Sequence, residues 1–398
     1  MNREDFEILN DGLIYFDNAA TTLKPVQVVN KIVEYYTKYT ANAHRGDYDN
    51  SLKVDTYYEQ SRTKVKEFIN AEKDEEIVFT KGSSESFNMI VFGFASNYLK
   101  KDDEVILTKD EHASNVLPWI VLSKKIGFKI KYADLSSSYE LTVQNLEKVI
   151  TDKTKIISIA HVTNTIGDVR PVMEIGRICR QKGIIFVLDA TQSIGHMKVD
   201  VQKFNVTFLG FSAHKMLGAT GVGVLYGKKE FLERLVPLEY GGGMNATFSS
   251  MGDYTLKELP SRLEAGTPNI AGVISLKEAI LYLEKIGLDN IHNYEMELKK
   301  YLVERLKEVP NIKIYNDNTD SGLLLFNVKD YFSQDVAIYL NTFKICVRAG
   351  NHCAKMLQEV IDKTNTCRVS LYFYNTKEEI DKLVEALKNQ DKILDTVV

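Results

Sequence analysis

From about residue 76 to residue 227, short runs of β-branched and apolar residues alternate with helix-like segments, and this alternation restricts the fold more than any other feature of the chain. EEIVF (75–79) precedes a helix expected from Ser83, and DEVIL (103–107) precedes another expected from about Ser114. KIISIA (155–160), IIFVLD (184–189), VTFLGF (206–211) and GVGVLY (221–226) follow. Runs that are apolar on both faces suit a mostly parallel sheet covered by helices. In an open α/β sheet, ligands bind at the carboxyl ends of the strands. The polar residues that close these runs are therefore the first candidates for chemistry.

After about residue 270 the pattern changes. Residues 273–308 carry long helical periodicity with many charges. NIKIYN, GLLLFNV, the helix-like QDVAIYLNTF, ICVRAG, CRVSLYFY and an amphipathic helix from Lys377 follow. The grouping predicts a large α/β domain over 17–282 and a smaller α+β domain built from 1–16 and 283–398. At 398 residues the chain can bury a large core without covalent staples. Its net charge of −4 gives no reason to expect a nucleic acid partner. The N-terminus MNREDFEILNDG has no apolar stretch of the signal-peptide kind, and the longest apolar runs, such as IIFVL (184–188), are too short to cross a bilayer. Four cysteines make a poor disulfide framework for this length, so a reduced, cytoplasmic protein that does not engage a membrane is expected.

Lys215, in GFSAHKMLGATGVG, follows an apolar strand and precedes a run of glycines. It reads either as one solvated cation among 50 or as a buried amine. A buried or cation-flanked lysine loses its proton more easily and can form a Schiff base with a carbonyl cofactor. GATGVG is not the GxGxxG of a dinucleotide loop and opens a strand rather than a helix. Asp189 closes IIFVLD, where a carboxylate needs either a structural cation or a protonated pyridine nitrogen. Gln192, one turn on, is an ordinary amide or a hydrogen-bonding partner for a ring substituent.

TKGSSESF (80–87) is a strand-to-helix turn in which Ser83 and Ser84 either cap the helix or help hold a phosphate. Ser212 and His214 flank Lys215 and are further phosphate candidates. His112, in KDEHASN, is a satisfied surface imidazole or one that stacks on a flat ring and moves protons. The only tryptophan, Trp119, reads as packing. Cys179, Cys346 and Cys367 lie in apolar patterns and read as small core residues. Cys353 differs: it sits in RAGNHCAKM with Arg348, His352 and Lys355 nearby, and cations raise the thiolate fraction of a cysteine. Arg368, opening RVSLYFY, is suited to clamp a carboxylate or to form a structural ion pair. No CxxC or HExxH pair is present, so no metal site is expected.

Taken in order, YFDNAATTLKP (15–25), AHRG (43–46), GSSES, DEHASNVLPW, HVTNTIG (161–167), LDATQS, FSAHKMLGATGVGVLYG, RLEAGTPN (262–269), RAGNHCA and CRVSLYFYNT resemble one family over nearly the whole chain. That family is the pyridoxal-phosphate-dependent cysteine desulfurases of type II, which serve SUF-type iron–sulfur cluster assembly and sit within the class V aminotransferases. The resemblance implies the fold type I architecture, a mostly parallel seven-stranded sheet in the large domain, and a homodimer. It implies that Lys215 carries the cofactor, that Asp189 meets its pyridine nitrogen, that Gln192 faces its phenolic oxygen and that His112 stacks on its ring. Ser83, Ser84, Ser212 and His214 would hold the phosphate, with Thr267 reaching in from a partner subunit. Arg368 and Asn164, with Arg348 beside them, would bind the carboxylate of L-cysteine, and Cys353 would receive its sulfur as a persulfide. A short interval from Cys353 to Arg368 implies dependence on a SufE-like or SufU-like acceptor protein.

The chain departs from the family's pattern at Asn351, where GHHC is common, and at Ala219 and Ala113. Two rivals keep the cofactor and change the substrate, namely selenocysteine lyase and cysteine sulfinate desulfinase. A class V aminotransferase would need no loop cysteine. A rival of another class is a non-enzymatic sulfur-transfer scaffold, against which the intact Lys215, Asp189 and His112 argue.

Overall fold

The computed structural model describes residues 3–44 and 46–396. Arg45 of the AHRG motif, and the ends of the chain at 1–2 and 397–398, lie outside the described residues. The main sheet has seven strands in the order Ile77–Thr80, Gly223–Gly227, Phe208–Ser212, Ile185–Asp189, Thr154–Ala160, Glu104–Leu107 and Lys129–Tyr132. All pairings are parallel except those of Gly223–Gly227, which runs antiparallel to both neighbours.

Successive residues of these strands alternate between two apolar clusters. Phe186 and Leu188 join one, and Ile185 and Val187 join the other. That is the alternation a pleated strand produces when helices cover both faces. Six of the seven strands were legible as apolar runs. The seventh, Lys129–Tyr132 (KIKY), lies at the sheet's edge, where one face meets solvent and its lysines need no burial. Trp119, on the helix Leu117–Ile126, is fully buried in the second cluster.

The helix expected from Ser83 runs on to Tyr98, with a π-helical stretch at Met89–Ala95. The long helical stretch read from 273 is two helices, Ile270–Ile286 and Leu288–Leu306, parted at Gly287 with φ +89. The first packs on the helices Val26–Lys38 and Asp49–Phe68.

A second sheet, antiparallel, runs Ile312–Ile314, Leu323–Val328, Thr366–Ser370 and Arg348–Gly350. It has its own apolar cluster with the helices Leu288–Leu306 and Lys377–Lys388. Ile14 and Phe16 join that cluster, whereas Phe6 and Leu9 pack in the first cluster of the main sheet. Among the described residues no helix is long and apolar enough to cross a membrane.

Candidate active site

The carboxyl ends of the main sheet and one edge of the second sheet enclose a cavity of about 600 Å³. Ser83, Ser84, His112, Asn164, Ser212, His214, Lys215, Arg348, Cys353 and Arg368 all line it. Three expected site residues do not. Asp189 and Gln192 lie buried behind the lining, and Thr267 is exposed beside a separate hollow, where its Oγ1 accepts from Asn42.

The strand Phe208–Ser212 ends in a single 3-10 turn, Ala213–Lys215, which places Lys215 at the cavity. Burial, reinforced by the Arg368 guanidinium, pulls the Lys215 ammonium down to about 8. The turn is clamped from outside. The His214 carbonyl accepts from the Thr22 N–H at 3.0 Å and from the Lys24 ammonium at 2.9 Å. Lys24 is itself pulled down to about 8 by burial.

Asp189 is the last residue of its strand, and its Oδ1 accepts from the Thr191 N–H at 2.9 Å. Burial raises its carboxyl pKa, and no salt bridge reaches it among the described residues. Gln192 donates through Nε2 to the Ala19 carbonyl at 2.9 Å. The turn before Ser83 depends on Gly82, whose φ of +155 and ψ of 172 are open to glycine almost alone. Ser212 Oγ accepts from the Ser83 N–H at 2.8 Å and lies 2.9 Å from Ser83 Oγ, which ties the helix start to the lysine strand. Ser84 Oγ and Ser114 Oγ are 2.6 Å apart.

His112 caps the 3-10 turn Ala113–Asn115: its Nδ1 accepts from the Ser114 N–H at 3.1 Å, so the ring proton of the neutral form sits on Nε2. Burial, then Lys215 and Arg368, lower its pKa to about 4, so the ring is neutral near pH 7. Beneath it, fully buried Arg170 binds Glu111, Asp110 and Asp168, and Glu111 also accepts from the Ala160 N–H. This buried network, which the sequence did not mark, joins the His112 loop to the neighbouring strand. Its members carry no local signal because Arg170 lies 59 residues from Glu111.

Arg368 is buried on the strand Thr366–Ser370. One Nη donates to the Asn164 carbonyl at 2.6 Å and the other to Asp17 Oδ1 at 3.2 Å, and its Nε has no partner. Asn164 Oδ1 is likewise buried and unpartnered, while its Nδ2 donates to the His352 carbonyl at 2.7 Å. Arg348 forks onto Asp17 with contacts of 2.9 to 3.1 Å. Asp17 was not singled out from the sequence; it sits in YFDNAATT with nothing local to reveal partners more than 300 residues away.

Cys353 is exposed at the cavity, in a turn where His352 and Cys353 both have positive φ, 52 and 60. Cys179 and Cys367 are buried and Cys346 is half-buried, and all four cysteines are free. Burial raises the Cys367 thiol and pushes the Cys179 thiol up to about 12, so neither is a ready nucleophile. Among the described residues no group of three His, Cys, Asp or Glu side chains could hold a metal ion.

The chain matches the model of the family described as aminotransferase class-V over residues 14–383. It is similar to a probable cysteine desulfurase of Halalkalibacterium halodurans, with 42% identity over 384 residues covering 96% of this chain and 94% of the relative. A probable cysteine desulfurase of Staphylococcus aureus is 42% identical over 392 residues, covering 97% of this chain and 95% of the relative. Among solved structures, the apo cysteine desulfurase of Thermococcus onnurineus superposes with a TM-score of 0.94 at 40% identity, covering 98% of this chain and 97% of the other. The cysteine desulfurase CsdA of Escherichia coli superposes with a TM-score of 0.92 at 33% identity, covering 99% and 97%.

Proposed function

The chain belongs to the aminotransferase class-V family, and on that premise we propose that it is a pyridoxal-phosphate-dependent cysteine desulfurase that converts L-cysteine to L-alanine and takes the sulfur on Cys353. One observation carries the reading: an exposed cysteine and a half-buried lysine, its ammonium pulled down to about 8, line the same cavity, with a buried arginine beside them. The architecture is that of fold type I.

Pyridoxal phosphate fits the residues present. Asp189 is a buried carboxylate without a salt bridge, within electrostatic reach of Lys215. Thr191 Oγ1, Asn164 Oδ1 and Arg368 Nε are buried polar atoms that lack partners. Lys215 would hold the cofactor, Asp189 its ring nitrogen and Gln192 its phenolic side, with His112 against its face. Ser83, Ser84, Ser212 and His214 would take its phosphate. When bound, the cofactor supplies an electron sink.

The chain's own groups do the rest. Arg368, steadied by the Asn164 carbonyl and Asp17, presents Nε to the substrate carboxylate, with the Asn164 side chain and Arg348 beside it. Lys215, with its ammonium at about 8, has a neutral fraction near pH 7 that can receive the α-proton at Nζ. Cys353 Sγ, as thiolate, attacks the substrate sulfur. The S–S bond forms as the C–S bond breaks, and that electron pair stays with the three-carbon fragment, which takes up protons and leaves as alanine. The balance is cysteine plus thiol to alanine plus persulfide.

The partners and location belong to the same reading. Cys353 is exposed, as transfer of its sulfur to a SufE-like or SufU-like acceptor in iron–sulfur cluster assembly requires. Thr267 lies outside this chain's cavity, so a role for it in phosphate binding needs a second copy of the chain in a homodimer. Four free cysteines suit the reducing cytoplasm. The separate apolar cluster of the second sheet supports a smaller second domain, while Phe6, Leu9, Leu288 and Ile291 pack with the main sheet from outside 17–282.

The test is a visible spectrum of the purified protein with borohydride trapping and mapping of the label, then assay of alanine from cysteine, selenocysteine and cysteine sulfinate. A band lost on reduction, label on Lys215 and preferred turnover of cysteine are expected. A colourless protein that takes up no pyridoxal phosphate would remove the reading.

A further inference from the structure

The Cys353 loop is held through its backbone at four points. The Cys353 N–H donates to Asn351 Oδ1 at 3.1 Å, and the Ala354 N–H donates to the Asn351 carbonyl at 2.8 Å. The Cys353 carbonyl accepts from the Ala113 N–H at 2.8 Å, and the His352 carbonyl accepts from Asn164 Nδ2 at 2.7 Å. The buried His352 ring meets Thr366 Oγ1 at 2.8 Å, which fixes the residue between Asn351 and the thiol. Two consecutive non-glycine residues with positive φ are disfavoured unless surrounding contacts hold them. Three of the ties come from main chain or from buried neighbours. The fourth comes from an exposed side chain, that of Asn351, whose amide oxygen does for the Cys353 N–H what asparagine does in turns generally.

We propose that Asn351 is a positioning residue for sulfur capture: its Oδ1 holds Cys353 in the left-handed turn that keeps the thiol at the cavity, next to the residue that follows His112. This rests on Cys353 being the sulfur acceptor. Asn351 touches neither substrate nor cofactor in this role; it acts through the loop backbone. It also gives the position a physical task in this chain, where the sequence departs from GHHC. Histidine Nδ1 stands as many bonds from the main chain as asparagine Oδ1, and His112 Nδ1 accepts from the Ser114 N–H in the same way, so the tie is one that either side chain can make at this position.

The test compares Asn351→Ala and Asn351→Asp with the unaltered full-length protein. Amide hydrogen exchange at Cys353 reports the turn with or without cofactor. Persulfide formed on Cys353 in one turnover with L-cysteine reports its use. Asn351→Ala is expected to exchange the Cys353 amide about 10-fold faster, because one protecting hydrogen bond is lost. It should form persulfide about 10-fold more slowly with KM for cysteine nearly unchanged, while iodoacetamide still labels Cys353. Asn351→Asp keeps an acceptor oxygen and should restore the slow exchange. Wild-type exchange and persulfide rates in Asn351→Ala overturn the inference while leaving the desulfurase reading intact. An unaltered protein that turns over cysteine without sulfur on Cys353 overturns both.

Discussion

Arg348 and Arg368 stand directly opposite each other across the antiparallel strands Arg348–Gly350 and Thr366–Ser370, and a single carboxylate, Asp17, accepts hydrogen bonds from both. Like charges at facing positions in a sheet repel, so the pair persists because Asp17 lies between them. The arrangement leaves one net positive charge among the three groups, suited to a carboxylate; burial, with Arg348 opposite, lowers the Arg368 pKa to about 10 while Asp17 works to raise it, so the group stays charged.

Asp17→Asn removes that charge and leaves two facing guanidiniums. It is expected to cost roughly 1–3 kcal/mol of stability, the range for losing a charge-assisted bond to a buried group. Urea unfolding of the apo protein would measure it. A midpoint equal to that of the parent would mean that Asp17 does not balance the pair.

Arg368→Lys keeps the charge and loses the fork. A lysine cannot hold the Asn164 carbonyl, Asp17 and a substrate carboxylate in one plane. KM for cysteine should rise about 10- to 100-fold, as expected for a lost charged hydrogen bond of about 1.5–3 kcal/mol, with the cofactor band unchanged. An unchanged KM would place substrate binding elsewhere.

Lys215→Ala and Cys353→Ser should separate the two halves of the reaction. The first is expected to lose any borohydride-trapped label. The second keeps the trapped label and the colour but releases alanine from cysteine at background rate, because the attacking thiol is gone. Ordinary turnover by Cys353→Ser would take the persulfide out of the mechanism.

Acid should destabilise the apo protein earlier than its carboxylates alone predict. Burial lowers His112, His161 and His214 to about 4 and His352 to about 3. Between pH 6.5 and those values the unfolded chain binds protons that the folded chain refuses. Stability therefore falls as pH falls, with a slope of up to about 1.4 kcal/mol per pH unit for each such imidazole. Asp168, whose carboxyl burial raises to about 6, acts in the opposite sense, so the rings are followed directly: NMR titration from pH 7 to pH 5 should leave all four imidazoles neutral, and one that protonates near pH 6.5 is not held neutral.

Gly82→Ala should open the turn before Ser83. At φ +155 and ψ 172 a side chain is strained by about 1–3 kcal/mol. Gly223 is just as confined, since a Cβ there would lie 2.5 Å from Gly82 Cα. Weaker retention of pyridoxal phosphate on dialysis is the expected sign in Gly82→Ala. Retention equal to that of the parent would argue against this turn as a phosphate cradle.

Local pattern determined much of this protein. Six strands with apolar residues on both faces could only be covered by helices, and their polar ends named Asp189 and Lys215 as candidates before any contact was known. The edge strand Lys129–Tyr132 escaped because an edge tolerates lysines, so its sequence lacks the double apolar face of the others. Tertiary structure alone decided that Cys353, 138 residues beyond Lys215 (353 − 215), shares its cavity, and that Asp17 lies between two arginines more than 300 residues away. Periodicity records only which face of an element is buried. Which distant groups meet there is set by how the two sheets are brought together, and no local run of residues encodes that.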